Sequence, residues 1–285
     1  MEYEVAKIED YGYKNHKIAN KVWDILSKII VVLTVIALYA SIVVILIQSF
    51  NKSSNVSTFT GFTFEWYGKI ISSRALWNSI VNTFVISIIA TAISTLLGTL
   101  IAVGIFSLGK KSKRFLLILN NIPLLNADIV TGIGLMLVFS IFVKIWPYFF
   151  GWKTLLIAHV YFTLPYIVLS VLPKIKEIDG NMFDASLDLG LKPFKSLIKV
   201  IIPAIKAGIF SGMILAFTMS FDDFVVSYYT TGNGFDTLSI WIYSSIGRKS
   251  LTPAVYAFSS LFTIVSMLCV VLMNIIKGRK KDEKK

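Results

Sequence analysis

Along this chain, long uncharged runs alternate with short polar stretches that hold most of the charge. A bilayer core takes about 20 mostly apolar residues per helix, and six runs are long enough to supply one. They extend from Ile25 to Ile47, Ile80 to Phe106, Leu116 to Val143, Leu155 to Leu172, Ala207 to about Tyr229, and Ala254 to Ile276. The pattern predicts an all-α, polytopic membrane protein with six transmembrane helices. Asn120, Asn121, Pro123, Asn126 and Asp128 interrupt the first half of the third run. That half is expected to be a bent or interfacial lead-in, with the helix proper starting near Asn126. No period of 20 to 50 residues repeats, so a tandem-repeat fold is not supported.

Composition agrees with a membrane protein and removes several chemistries. Hydrophobic residues make up 55% and charged residues 15% of the 285 positions, against about 45 to 50% and 25% in soluble domains; mean hydropathy is +0.74. A single cysteine, Cys269, excludes an internal disulfide, and two histidines, His16 and His159, are too few for a zinc or two-His iron centre. The net charge of +12 is accounted for by topology. With the N-terminus inside, 21 Lys and Arg fall on the cytoplasmic side and 7 outside, as the positive-inside bias requires. Both termini are therefore expected in the cytoplasm, and no nucleic-acid partner is needed. The basic tail 277–285 reads as a solvated flank able to touch anionic lipid. Residues 1–24 mix both charge signs and precede an uncleaved anchor rather than a signal peptide. The expected organisation is an N-terminal extension (1–24), one six-span domain (25–276) with a cytoplasmic loop at 174–206, and the tail.

That loop carries its own pattern. From Phe183 to Pro203 it reads FDASLDLGLKPFKSLIKVIIP. Asp184 suits a helix N-cap, Gly190 a left-handed helix end, and Pro193 the first turn of a second helix. Phe194, Leu197, Ile198, Ile201 and Ile202 give that second helix one apolar face. Asp184-Ala185-Ser186, three residues, Gly190, nine residues, Val200, one residue, Ile202-Pro203 resembles the cytoplasmic motif of ATP-binding-cassette importer permeases. There the pattern is Glu-Ala-Ala, Gly, Ile, Leu-Pro at the same spacing. The resemblance implies a MetI-like, binding-protein-dependent importer permease whose hairpin is the coupling helix. Asp184, Ala185, Ser186, Gly190, Val200, Ile202 and Pro203 would then meet an ATPase subunit. Replacement of Glu by Asp184 shortens the one acidic contact available to the motif. The chain has no nucleotide site of its own: Gly104, four residues, Gly109-Lys110 is followed by Lys111 where a phosphate loop needs Ser or Thr. ATP and magnesium are expected on the partner ATPase, with no cofactor and no catalytic residue here.

Two acidic residues, Asp222 and Asp223, lie deep in the fifth run, roughly 22 Å along the helix from Ala207. Charges at that depth mark a pathway unless they serve the structure, for instance by capping a broken helix. Gly208, Gly212, Ala216 and Ser220 form a small-residue stripe in the same run, and Ala90, Ser94, Gly98 and Ala102 another in the second. At about 100° per residue, Asp223 falls on the packed stripe and Asp222 a quarter-turn away. One can be structural while the other lines the path; the wheel does not say which. Asp128 either lines the path or caps its own helix. Phe221, Phe224, Tyr228, Tyr229, Trp241 and Tyr243 are either cation–π surfaces or packing and belt residues. His159 reads as a satisfied interior residue. The Asn51-Lys52-Ser53 and Asn55-Val56-Ser57 matches to the glycosylation pattern carry little weight.

Ser49-Phe50-Asn51, Thr60-Gly61-Phe62-Thr63, Trp66-Tyr67, Asp128-Ile129-Val130, Met219 to Ser227, Thr231-Gly232 and Ile242-Tyr243-Ser244 together resemble spermidine/putrescine importer permeases of the PotC type. The resemblance implies a multi-pass subunit of the bacterial inner (plasma) membrane that passes polyamine inward by alternating access. Its expected partners are a homologous second permease, two ATPase subunits and an extracytoplasmic polyamine-binding protein. Asp222, Asp223, Phe221 and Asp128 are the substrate-path residues it implies. Tyr228 and Tyr229 replace smaller residues usual in that group. The alternatives are a permease of the same architecture for thiamine, iron or phosphonate, and a membrane enzyme or scaffold without transport.

Overall fold

The computed structural model describes residues 2–53, 58–179, 181–232, 234–247 and 253–282, with side chains left aside at 2–19, 246–247, 253, 269–270 and 272–282. In chain order the elements are α1 (Glu2–Ser49), α2 (Glu65–Ser72), α3 (Arg74–Ser107), α4 (Lys110–Leu125), α5 (Asp128–Val143), α6 (Trp152–Lys176), α7 (Asn181–Asp188) and α8 (Pro193–Ser196). A π-turn (Leu197–Ile201) follows, then α9 (Ile202–Ala204), α10 (Lys206–Asp222), α11 (Val225–Thr230), α12 (Leu238–Gly247) and α13 (Pro253–Asp282).

Three of these are long and apolar enough to cross a bilayer unaided: Asn20–Ser49 within α1, α3 and α6. Two further runs form bent pairs, α4 with α5 at 104° and Pro193–Ala204 with α10 at 73°. In α13 the apolar stretch among described residues is Ala254–Leu268. The bend expected in the third run is therefore present, with Asn126 as the C-cap of α4 and Ala127 as the N-cap of α5. Pro123 lies inside the last turn of α4, which runs on to Leu125 before the chain bends at Asn126. Two boundaries differ from expectation. Helix α1 already starts at Glu2, running through the charged extension without a break. The fifth run stops at Asp222 and resumes at Val225.

The chain divides into two compact units, residues 1–72 with 245–285, and residues 73–244. In the first, α13 packs on α1 and α2, and the loop after α1 is knotted around Asn51. That side chain is 1% exposed; its Nδ2 donates to Gln48 Oε1 and to the Thr58 carbonyl, both at 2.9 Å, and its Oδ1 accepts from Ser53 N at 3.0 Å. Trp66 Nε1 closes the knot on the Asn51 carbonyl at 2.8 Å. Asn51 is thus structural and inaccessible to glycosylation, while the Asn55 match lies outside the described residues.

The second unit is built on α3, α6 and α10. Both small-residue stripes are buried here, and both serve α6: a Cβ built on Gly98 would stand 2.7 Å from Ile167 Cβ, and one on Gly212 would stand 3.1 Å from Ile167 Cα. Ile167 is therefore clasped between two glycine notches, which lets the backbones approach as membrane helices do when lipid offers them no hydrophobic drive. Ser94 and Thr163 add a 2.7 Å hydroxyl pair across the α3–α6 contact.

Candidate functional site

The break in the fifth span is where the polar chemistry of the second unit collects. Asp223 terminates α10 with extended backbone (ψ 130°) and then caps α11. Its Oδ2 accepts from Ser227 N at 2.7 Å and its Oδ1 from Val226 N at 3.3 Å, satisfying two amides that the new helix leaves without partners. His159 of α6 holds both sides of the break, through Ser220 Oγ at 2.7 Å from Nδ1 and Ser227 Oγ at 2.9 Å from Nε2. A neutral imidazole suits this role, offering one donor and one acceptor to two hydroxyls. The ring is 1% exposed, and Asp223 Oδ2 stands 3.9 Å from Nε2. One turn back along α6, Thr154 Oγ1 donates to the Thr230 carbonyl at 2.7 Å, so α11 is pinned to α6 at both ends. Interior satisfaction of His159 was legible in the sequence; its partners were not, because they lie 61 and 68 residues away.

Asp222 has a different environment. It is exposed, and among the described residues no hydrogen bond or ion pair engages it. Asp128, also exposed, opens α5, where Ala127 holds the cap position without a side-chain bond; capping by Asp128 is not what the helix uses. Asp128 opens α5, and α5 packs on α11, which follows the break after Asp222. Helix α5 is brought there by Gly132, whose missing side chain admits Tyr229 (3.0 Å to a built Cβ) and the Val225 carbonyl (3.4 Å). Phe221, partly buried, packs its ring on Phe84 at 5.0 Å and Phe217 at 5.6 Å.

The hairpin forms the second site. Helix, turn, helix is its geometry, with Gly190 at φ +83° between α7 and α8 and Pro193 opening α8. Two details correct the sequence reading. Asp184 lies within the first turn of α7 rather than at its cap; Asp179 Oδ1 accepts from Asn181 N at 3.0 Å in its place. The apolar face of the second helix is also divided. Leu197, Val200, Ile201 and Ile205 join the core with Val168, Leu172 and Ile175, whereas Phe194 and Ile198 are 70% and 46% exposed. A π-turn follows α8 at Leu197–Ile201, and its i→i+5 bonding shifts the phase of the residues after it. Ala185 and Pro203 are exposed and Ile202 is partly buried. Ser186 points inward, hydrogen-bonded to Ser196 across the hairpin.

A profile of the family described as "Binding-protein-dependent transport system inner membrane component" matches residues 94–281, more than half of the chain. The chain belongs to this family. It is a multi-pass inner-membrane permease, the non-catalytic transmembrane subunit of an ATP-binding-cassette importer. It works with a paired permease and a periplasmic binding protein, and ATP is bound by a partner ATPase. The permease is 29% identical over 253 residues to "Spermidine/putrescine transport system permease protein PotC" of Escherichia coli (strain K12), covering 87% of this chain and 94% of that one. It is 31% identical over 227 residues to "Putrescine transport system permease protein PotI" of the same strain, covering 79% and 80%. Among solved structures, a bacterial ABC transporter involved in the import of the acidic polysaccharide alginate matches with a TM-score of 0.65 at 13% identity, over 92% of this chain and 98% of that one. At that identity the likeness is one of fold.

Proposed function

We propose that this permease passes a polyamine into the cell, with the ammonium groups meeting Asp222 and Asp128 at the broken fifth span. The observation that carries the reading is Asp222 itself: exposed and unpartnered among the described residues, beside an Asp223 already occupied as a cap. A carboxylate kept at membrane depth without a protein partner is costly unless a cation passes it, and relatives bearing polyamine names support the choice of cation. The test is uptake of labelled putrescine and spermidine by cells carrying the whole importer. Asp222→Asn is expected to lower uptake about tenfold or more with the complex intact. Asp223→Asn should cost less, because the asparagine oxygen can still accept from one of the two amides that Asp223 serves. Equal loss in both variants would sink the division of roles, and competition by thiamine, iron or phosphonate instead of putrescine would sink the polyamine.

Coupling to the ATPase is assigned to the hairpin, in the region Asp184 to Pro203 within the loop 174–206, with both termini on the same cytoplasmic side as the basic clusters. Exposed Leu189, Phe194 and Ile198 are the apolar surface such a groove would bury, with Asp184, Ala185, Gly190 and Pro203 beside them. Ser186, Val200 and Ile202 act from within, tying the hairpin together and to the core. Gly190→Val places a β-branched residue at positive φ, a strain of about 1 to 3 kcal/mol. Binding-protein-stimulated ATPase activity is expected to fall several-fold, and undiminished stimulation would remove the hairpin from the coupling path.

A further inference from the structure

Asp222 stands in the sequence between two phenylalanines whose rings belong to different clusters. Phe221 packs back onto Phe84 and Phe217. Phe224, on the other side of the break, meets Tyr243 of α12 at 4.8 Å and Tyr228 of α11 at 5.6 Å. Tyr228 and Tyr243 meet each other at 5.5 Å and 76°, and Tyr229 closes on Tyr228 at 87°. Three features separate this cluster from ordinary packing. Tyr228 and Tyr243 remain 47% and 51% exposed, although both are fixed by ring contacts. Their phenol oxygens have no hydrogen-bond partner among the described residues. Among the described residues the protein cations over aromatic faces lie elsewhere, Lys69 on Trp66, Lys113 on Phe106 and Lys153 on Trp146 and Trp152.

We propose that Tyr228, Tyr243 and Phe224 form a second cation subsite, a wall that takes one alkylammonium group while Asp222 takes another. This rests on the polyamine reading above and goes beyond it, naming the residues that make the path choose a chain with two or more ammonium groups. Ring faces carry the negative end of the aromatic quadrupole, and the two phenol oxygens can accept N–H donors. The methylene stretch between ammonium groups would lie along the ring surfaces. A solute with one ammonium engages one subsite and gains nothing from the other.

The test uses the complete importer in proteoliposomes, with its ATPase, paired permease and binding protein, supplied with saturating binding protein loaded with spermidine or putrescine. Transport per ATP hydrolysed is measured for Tyr243 and Tyr228 replaced by Trp, Phe and Leu. Cation–π strength orders the variants with Trp at least equal to Tyr, Phe close behind, and Leu about tenfold lower, while ATPase stimulation by the loaded binding protein is retained. A purely structural ring would not favour tryptophan over the native tyrosine. If the Leu variants transport like the parent while Asp222→Asn is impaired, the aromatic subsite is wrong and the polyamine reading stands. If the parent importer moves neither amine, both fall.

Discussion

Gly98→Leu is expected to prevent stable permease from accumulating, the larger of two structural effects that the α3–α6–α10 packing predicts. Even the first carbon of the new side chain would stand 2.7 Å from Ile167 Cβ, 2.8 Å from its Cγ2 and 3.3 Å from the Leu164 carbonyl. Ile167 has little room to yield, because α10 also packs closely on it, a Cβ built on Gly212 standing 3.1 Å from its Cα. Overpacking in closed interiors costs about 1 to 3 kcal/mol, occasionally more. Alanine at 98 already incurs that, and leucine adds three further carbons with nowhere to go. Gly104 offers the internal control. It lies on the same helix with nothing within 4 Å of a built Cβ, so Gly104→Ala should be neutral or stabilising by up to about 1 kcal/mol through helix propensity. Thermal unfolding of the detergent-purified complex reads both. A melting temperature unchanged in Gly98→Leu would show that α3 and α6 do not pack through this notch.

Much of this framework is legible in the residues because it rests on periodicity. Small residues every four positions announce the notches, and a proline among asparagines announces the bend before Asp128. Gly190 followed by Pro193 announces the hairpin. What was not legible depends on events that break a period. A helical wheel puts Asp223 on the packed face, correctly, yet treats Ala207 to Tyr229 as one helix. It therefore gives no sign that Asp223 is the residue that ends α10 and caps α11, leaving Asp222 as the free carboxylate. The same limit applies to the hairpin: a uniform 3.6-residue period puts Phe194 and Ile198 on one face with Leu197 and Ile201, whereas the segment divides into α8 and a π-turn and only Leu197 and Ile201 of the four join the core. The capping aspartate was misplaced for a related reason. Asp184 stands ahead of apolar residues as a cap would, and only the observed start of α7 at Asn181 places it inside the first turn.

His159→Phe separates the stability of the broken span from its use. Phenylalanine puts a slightly larger ring in the same space and keeps an aromatic partner for Phe162, now at 5.1 Å from the imidazole, but Ser220 Oγ loses its bond and Ser227 Oγ is left with Asp223 alone. Stranding the buried Ser220 hydroxyl costs about 1 to 3 kcal/mol, and crowding by the larger ring adds to it, so the complex should melt several degrees lower. Adding Ser220→Ala and Ser227→Ala removes both hydroxyls that the imidazole had bonded and should return much of that stability, since deleting both partners of a buried hydrogen bond is nearly neutral. Polyamine uptake is expected not to return with it. In the triple variant nothing fastens the end of α10 and the start of α11 to α6 at this level, Asp223 is left to hold the turn alone, and Asp222 loses the fixed position from which it meets a cation. Measured together, melting temperature and uptake decide the matter: recovery of both in the triple variant would make the imidazole a packing element, and recovery of stability alone makes it the clamp that positions the path.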